Sequence, residues 1–139
     1  MNLCLLIAGG LSTLAVIMHL GCIYFGAPWY RFLGAGEQMA QLAEQGSILP
    51  SLITGGISLV LSIWALYAFS AAGWLPKLPM MRLLLIAITS VYLGRGLLGF
   101  FFINQPMGRS PEFWIWSSTV CLAIGLVHML GVYQQWEYL

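Results

Sequence analysis

The sequence predicts an all-α polytopic membrane protein: a single transmembrane domain over 1–139, four helices in an antiparallel bundle, with a short amphipathic helix between the first two. Three observations predict it. Hydrophobic residues make up 60% of the chain and charged residues 6%, against about a quarter charged in a soluble domain. Five basic and four acidic side chains cannot coat a soluble surface for 139 residues. No Asp, Glu, Lys or Arg occurs in 1–30, 45–76, 83–94 or 113–136, and a spanning helix needs about 20 mostly apolar residues. Finally, aromatic residues cluster at the ends of these runs: Trp29 and Tyr30, Trp74, Trp114 and Trp116, then Tyr133, Trp136 and Tyr138. Amphipathic rings favour the depth of the headgroups.

The spans fall near 3–25, 49–73, 81–103 and 113–134, the third if it tolerates Arg95. Lipid-exposed backbone must pair within the chain, which leaves helices or a closed barrel. The runs are continuous and too long for barrel strands, so helices follow. Only Asn2 precedes the first run, with no basic segment, so that run reads as a retained span and not a cleaved signal. Ala27-Pro28 closes it. Pro50 suits the first turn of the second span, where its missing N–H costs nothing. Gly73, Pro76 and Pro79 form a short link to the third span, and Asn104, Pro106, Gly108 and Pro111 separate the third from the fourth. Links this short make antiparallel neighbours.

The connection from Gly26 to Leu49 is the long one. Its segment from Glu37 to Glu44 is rich in good helix formers, and Gly46 is placed to cap it. Met39, Leu42 and Ala43 share a face, so a helix over about 35–45 is expected at the membrane surface, as plain linker or as lid. Lys and Arg divide equally between the two sides. The short, acid-free 74–82 link with Lys77 and Arg82 tilts the reading to both termini in the cytoplasm and to a bacterial inner membrane.

A net charge of +1 argues against a nucleic-acid partner. Cys4, Cys22 and Cys121 are odd in number and widely spaced, which speaks against a disulfide framework.

The first, second and fourth helices each carry a small or polar stripe at helical spacing. Ser12, Ala15, His19, Cys22 and Gly26 share one, and Thr54, Ser58, Ser62 and Ala65 another. Tyr92 and Gly99 flank Arg95, while Ser118, Cys121, Gly125, His128, Gly131 and Gln135 line up on the fourth span. Such stripes let membrane helices pack closely, or line a polar cavity.

Three ionisable side chains lie within spans: His19, Arg95 and His128. Ionisable residues there face the bundle interior or water by default. His19 and Arg95 stand nine residues before Pro28 and Asn104, about 13 Å below the same surface. His128 belongs near the opposite end, about 10 Å from the His19 level at the same rise. That separation argues against one haem or metal shared by the histidines; no metal and no cofactor is expected. Arg95 cannot shed its proton, so it needs acceptors or an anion unless it snorkels to the surface. Glu37, Glu44 and Glu112 are the carboxylates in reach, and Glu37 is the favoured partner because Gly34-Ala35-Gly36 lets the backbone dip.

The size and four-span profile are similar to those of small bacterial membrane proteins, DoxX-like ones among them. The likeness is one of hydropathy alone and carries no function across.

Three functions remain open. The first is binding or transport of a small amphipathic or anionic ligand, such as a lipid, quinone or organic acid. Arg95 would supply the charge, His19 and Tyr92 the hydrogen bonds, and the 34–46 helix the lid, with Glu37 counted among the site residues. His128, Gln135 and Cys121 would form a secondary polar site. The second is a structural or accessory subunit of a larger membrane complex. The third is an enzyme with a histidine base; no acid–base pair at recognisable spacing supports it. Membrane lipid is the expected surrounding, and a homodimer or larger complex fits the first two readings.

Overall fold

The computed structural model describes residues 2–33, 37–102 and 111–139. The Gly34-Ala35-Gly36 stretch and the expected link over Asn104, Pro106 and Gly108 lie outside those residues. Helices α1 (Leu3–Phe25), α4 (Leu49–Ala71), α5 (Met81–Gly99) and α6 (Pro111–Gln134) are the long ones. Two short helices, α2 (Ala27–Leu33) and α3 (Glu37–Glu44), occupy the connection between α1 and α4. A 3-10 turn at Phe100–Phe102 extends α5. No strand occurs among the described residues. Among the described residues, four helices are long and apolar enough to cross a membrane, in agreement with the charge gaps.

Local chemistry sets the ends. Asn2 caps α1, its side-chain oxygen accepting from the Leu5 N–H at 2.9 Å, one of the orphan donors of a helix start. Helix α3 stops at the expected Gly46, whose φ of 78° is left-handed. The Ser47 N–H donates to Leu42 O and the Gly46 N–H to Ala43 O, a Schellman closure. Gly73 closes α4 in the same way, and Trp74 packs on Phe69 with ring centroids 5.1 Å apart. That contact is the apolar clasp that accompanies such a cap.

Helix α2 corrects the sequence reading. Pro28 does not end helical structure; it stands in the first turn of a new helix, where its lack of an N–H does no harm. The break is at Gly26, whose φ of 77° turns the chain out of α1.

The long helices pack as antiparallel neighbours, α1 on α4 and α5 on α6, with smaller contacts joining α1 to α6 and α4 to α5. The start of α1 ties the ends of two others together: Asn2 N–H donates to Ala72 O at 2.9 Å, and Asn2 Nδ2 to Gln134 Oε1 at 2.8 Å. The α5–α6 seam is the closest. A Cβ on Gly96 would lie 2.7 Å from the Leu122 nitrogen, and one on Gly125 would lie 3.0 Å from that of Leu93. Only glycine permits backbones to approach so nearly.

Polarity runs inside-out relative to a soluble protein. Ser12, Thr54, Ser58, Ser70, Ser118 and His128 are buried, whereas Ile17, Leu59, Leu66, Leu98 and Leu130 are exposed. The stripes marked in the sequence thus turn toward neighbouring helices, with His19, Ala15, Cys121 and Gln135 half-buried at their margins.

Candidate functional site

Arg95 leaves α5 one turn before its end, and its side chain lies over Gly99. A Cβ there would stand 2.5 Å from Arg95 Nη1 and collide with Ser118 Oγ. Helical side chains ordinarily lean toward the helix N-terminus; the missing Cβ opens the way in the other direction. The guanidinium meets the first turns of α6. Nη2 donates to Ser117 Oγ at 2.8 Å, and Nη1 makes a longer contact of 3.4 Å with Ser118 Oγ. Its carbon stands 5.0 Å from the centre of the Trp114 ring. At 1.5 Å per residue these partners lie about 5–10 Å from the start of α6. The charge therefore stands closer to the bundle end than its Cα depth suggests.

The expected pairing of Arg95 with Glu37 does not form. Arg31 takes Glu37 in a bidentate grip, Nη2 to Oε1 at 2.8 Å and Nε to Oε2 at 3.0 Å, and also holds Glu44. All three side chains are exposed. The competition is simple: a carboxylate already in solvent loses little hydration to a surface arginine on the neighbouring short helix, whereas reaching Arg95 would desolvate both charges. All four glutamates of the chain are among the described residues, and none lies within ion-pair distance of Arg95.

The hydrogen bond to Arg31 holds the Glu37 carboxyl below the usual glutamate range. A depressed folded-state value means that the pair contributes fully above the ordinary glutamate pKa and fades as pH falls through the depressed one. Amide exchange in α3 should therefore accelerate, relative to α4, only on acidification below the normal glutamate range. Glu37→Gln should remove most of that pH dependence; an unchanged profile in the variant would rule the pair out as its cause.

His19 and Tyr92 do not join Arg95. The His19 Nδ1 donates to the carbonyl of Ala15 on its own helix at 2.6 Å. Tyr92 is the hub of a separate cluster to which each long helix gives one side chain. Its hydroxyl shares a 2.7 Å hydrogen bond with Ser12 Oγ of α1. Trp64 of α4 packs edge-on at 5.2 Å between centroids, and His128 of α6 stacks at 5.1 Å. Side chains of all four long helices thus meet around Tyr92.

The residues expected as a secondary polar site take separate partners. Gln135 Nε2 donates to Ala71 O at 2.9 Å, helping to join the ends of α6 and α4. The His128 ring donates from Nδ1 to Ile124 O at 2.9 Å. Cys121 is half-buried, one helical turn beyond Ser117 and Ser118.

A shallow groove of about 240 Å³ runs between α1 and α4, lined by Thr13, Val16, Ser62, Ala65, Leu66 and Phe69. Thr13 and Ser62 donate their hydroxyl protons to carbonyls of their own helices, so the groove presents mainly hydrocarbon. It lies on the other helix pair from Arg95.

No protein-family model, curated protein or solved structure matches the chain. What the site can do must come from its own chemistry. Gly99 is marked beside Arg95 by helical spacing, but Ser117, Ser118 and Trp114 escaped the sequence reading as parts of that site. In an antiparallel pair joined near 103–113, residues equally far from the link face each other, which sets Arg95 level with Cys121; its long side chain leans about one turn toward the link to reach Ser117, Ser118 and Trp114, and that lean is not legible in the spacing.

Proposed function

We propose that the protein is a membrane-embedded binding or transport protein that holds an anionic group of a small amphipathic ligand, of the lipid, quinone or organic acid class, against Arg95. The four apolar helices with exposed aliphatic faces support insertion in a bilayer, because soluble monomers rarely expose apolar patches beyond a few hundred Å². The cell membrane, with both termini cytoplasmic, is the orientation we adopt. One observation carries the ligand reading: Arg95 is fixed by two hydroxyls and a ring face while every glutamate of the chain lies elsewhere. A guanidinium has five N–H donors in a planar fork suited to carboxylate or phosphate. Among the described residues, two of them are engaged.

The test is native mass spectrometry of protein released from bilayers containing dioleoylphosphatidylglycerol or decanoate. A charge-assisted hydrogen bond contributes about 1.5–3 kcal/mol, or roughly a 10- to 100-fold change in binding. Arg95→Gln should lower anion retention by that factor and Arg95→Lys by less, since the point charge survives without the fork. Equal retention by wild type and Arg95→Gln would end this reading.

A second reading draws on the outward glycines. A Cβ on Gly10, Gly56 or Gly94 would meet nothing within 4 Å. Such flat faces suit close approach by another membrane helix, as in a homodimer or an accessory subunit of a larger complex. Cross-linking from Gly56→Cys in native membranes would identify the neighbour.

A further inference from the structure

We infer that Thr89 and His128 hold a single water molecule between α5 and α6, deep inside the bundle. His128 is fully buried. Its Nδ1 faces the Ile124 carbonyl, which can only accept, so Nδ1 carries the proton. In the neutral ring Nε2 is then a bare lone pair that needs a donor. That nitrogen has no partner among the described residues, and neither does the buried Thr89 Oγ1. Thr13 and Thr119 in the same protein donate to the carbonyl four residues back. Thr89 departs from that habit.

The helix register places the two groups at one level of the α5–α6 pair. Along α5 and α6 the meeting pairs are Gly99 with Ser118, Gly96 with Leu122, Leu93 with Gly125, and Arg82 with the Trp136 carbonyl. The same reversal puts Thr89 level with His128 and Met129. Thr89 also stands one turn from Tyr92, whose ring stacks on His128. Two unpaired buried groups at one level are bridged by a guest that donates to the nitrogen and pairs with the hydroxyl.

Chemistry narrows the guest. A bare imidazole nitrogen repels an anion. One nitrogen and one hydroxyl fall short of the usual ligand set for a transition metal. His128 has no exposed surface through which a larger molecule could project. Water supplies two donors and two acceptors in the least volume, and buried waters recur where two or more polar groups lack partners. This inference is independent of the Arg95 reading, since Thr89 and His128 lie on the far side of Tyr92 from it along α5 and α6.

Magic-angle-spinning NMR of histidine-¹⁵N-labelled protein in lipid bilayers tests it, with the two imidazoles distinguished by His19→Gln. In wild type, polarisation should pass from water protons to His128 Nε2, and Nε2 should resonate as an unprotonated, hydrogen-bonded nitrogen. Thr89→Ser should keep the transfer. Thr89→Val should abolish it and move Nε2 downfield, the direction of a lost hydrogen bond. A dry Nε2 in wild type overturns the inference, whether the nitrogen is unbonded or bonded directly to the Thr89 hydroxyl, and that result needs no variant to fold. Transfer undiminished in a folded Thr89→Val overturns the role of Thr89.

Discussion

Gly96→Leu should cost the protein about 3 kcal/mol of stability in detergent or lipid, the upper part of the range for overpacking a tight contact. The added Cβ would begin 2.7 Å from the Leu122 nitrogen and 2.9 Å from its Cα. Those atoms are backbone and cannot rotate away, so α5 and α6 must separate. Helix–helix association in lipid draws on close packing and not on escape from water, which leaves little to compensate. The gain in helix propensity works the other way, but amounts to about 0.8 kcal/mol for replacing glycine. Gly10→Leu provides the control, because an added Cβ there meets nothing within 4 Å and the position is exposed. It should be neutral or slightly stabilising. Equal losses for the two variants in a reversible unfolding assay would mean that the α5–α6 seam is not where the structure puts it.

Tyr92→Ala should destabilise by about 3–5 kcal/mol, as expected for truncating a buried aromatic, and Tyr92→Phe by about 1 kcal/mol. The ring carries the larger part, because it touches Trp64 and His128 and so links α4, α5 and α6. The hydroxyl contributes the hydrogen bond to Ser12, and its loss strands the serine oxygen in a buried place. The ratio is the test. If Phe were as damaging as Ala, the ring stack would contribute nothing, and the four-helix cluster would reduce to one polar contact.

These positions show what a sequence of this kind reveals. Hydrocarbon runs of bilayer length, punctuated by proline and glycine, set the four long helices to within a few residues. The left-handed cap at Gly46 was equally legible, since such a cap calls for glycine, whereas Gly73 reads in the sequence only as part of the short link after the second span. Stripes such as Ser118, Gly125, His128 and Gly131 identified the inward face of α6, because the helical repeat is local. Which helix each stripe meets is not local. Helical spacing sets Tyr92 beside Arg95, and depth sets Arg95 level with His19, yet the rotation of α5 and its register on α6 turn Tyr92 to His128. The sequence favours Glu37 as the partner of Arg95 because both lie toward one surface and Gly34-Ala35-Gly36 gives the backbone room to dip. The outcome turned on a comparison of desolvation costs that favours an exposed arginine six residues away. Helix α2 went unread because Pro28 serves equally as a stop and as a first-turn residue, and only the left-handed Gly26 separates the two.

Everything depends on the long helices crossing the bilayer, so that the segment carrying α2 and α3 and the link between α4 and α5 emerge on opposite faces. Single cysteines at Gln45 and Lys77, in a background with Cys4, Cys22 and Cys121 replaced by alanine, can be labelled with a membrane-impermeant maleimide in sealed, right-side-out vesicles. One of the two positions should react at once and the other only after the membrane is opened. Immediate labelling of both would contradict a bilayer-spanning α4.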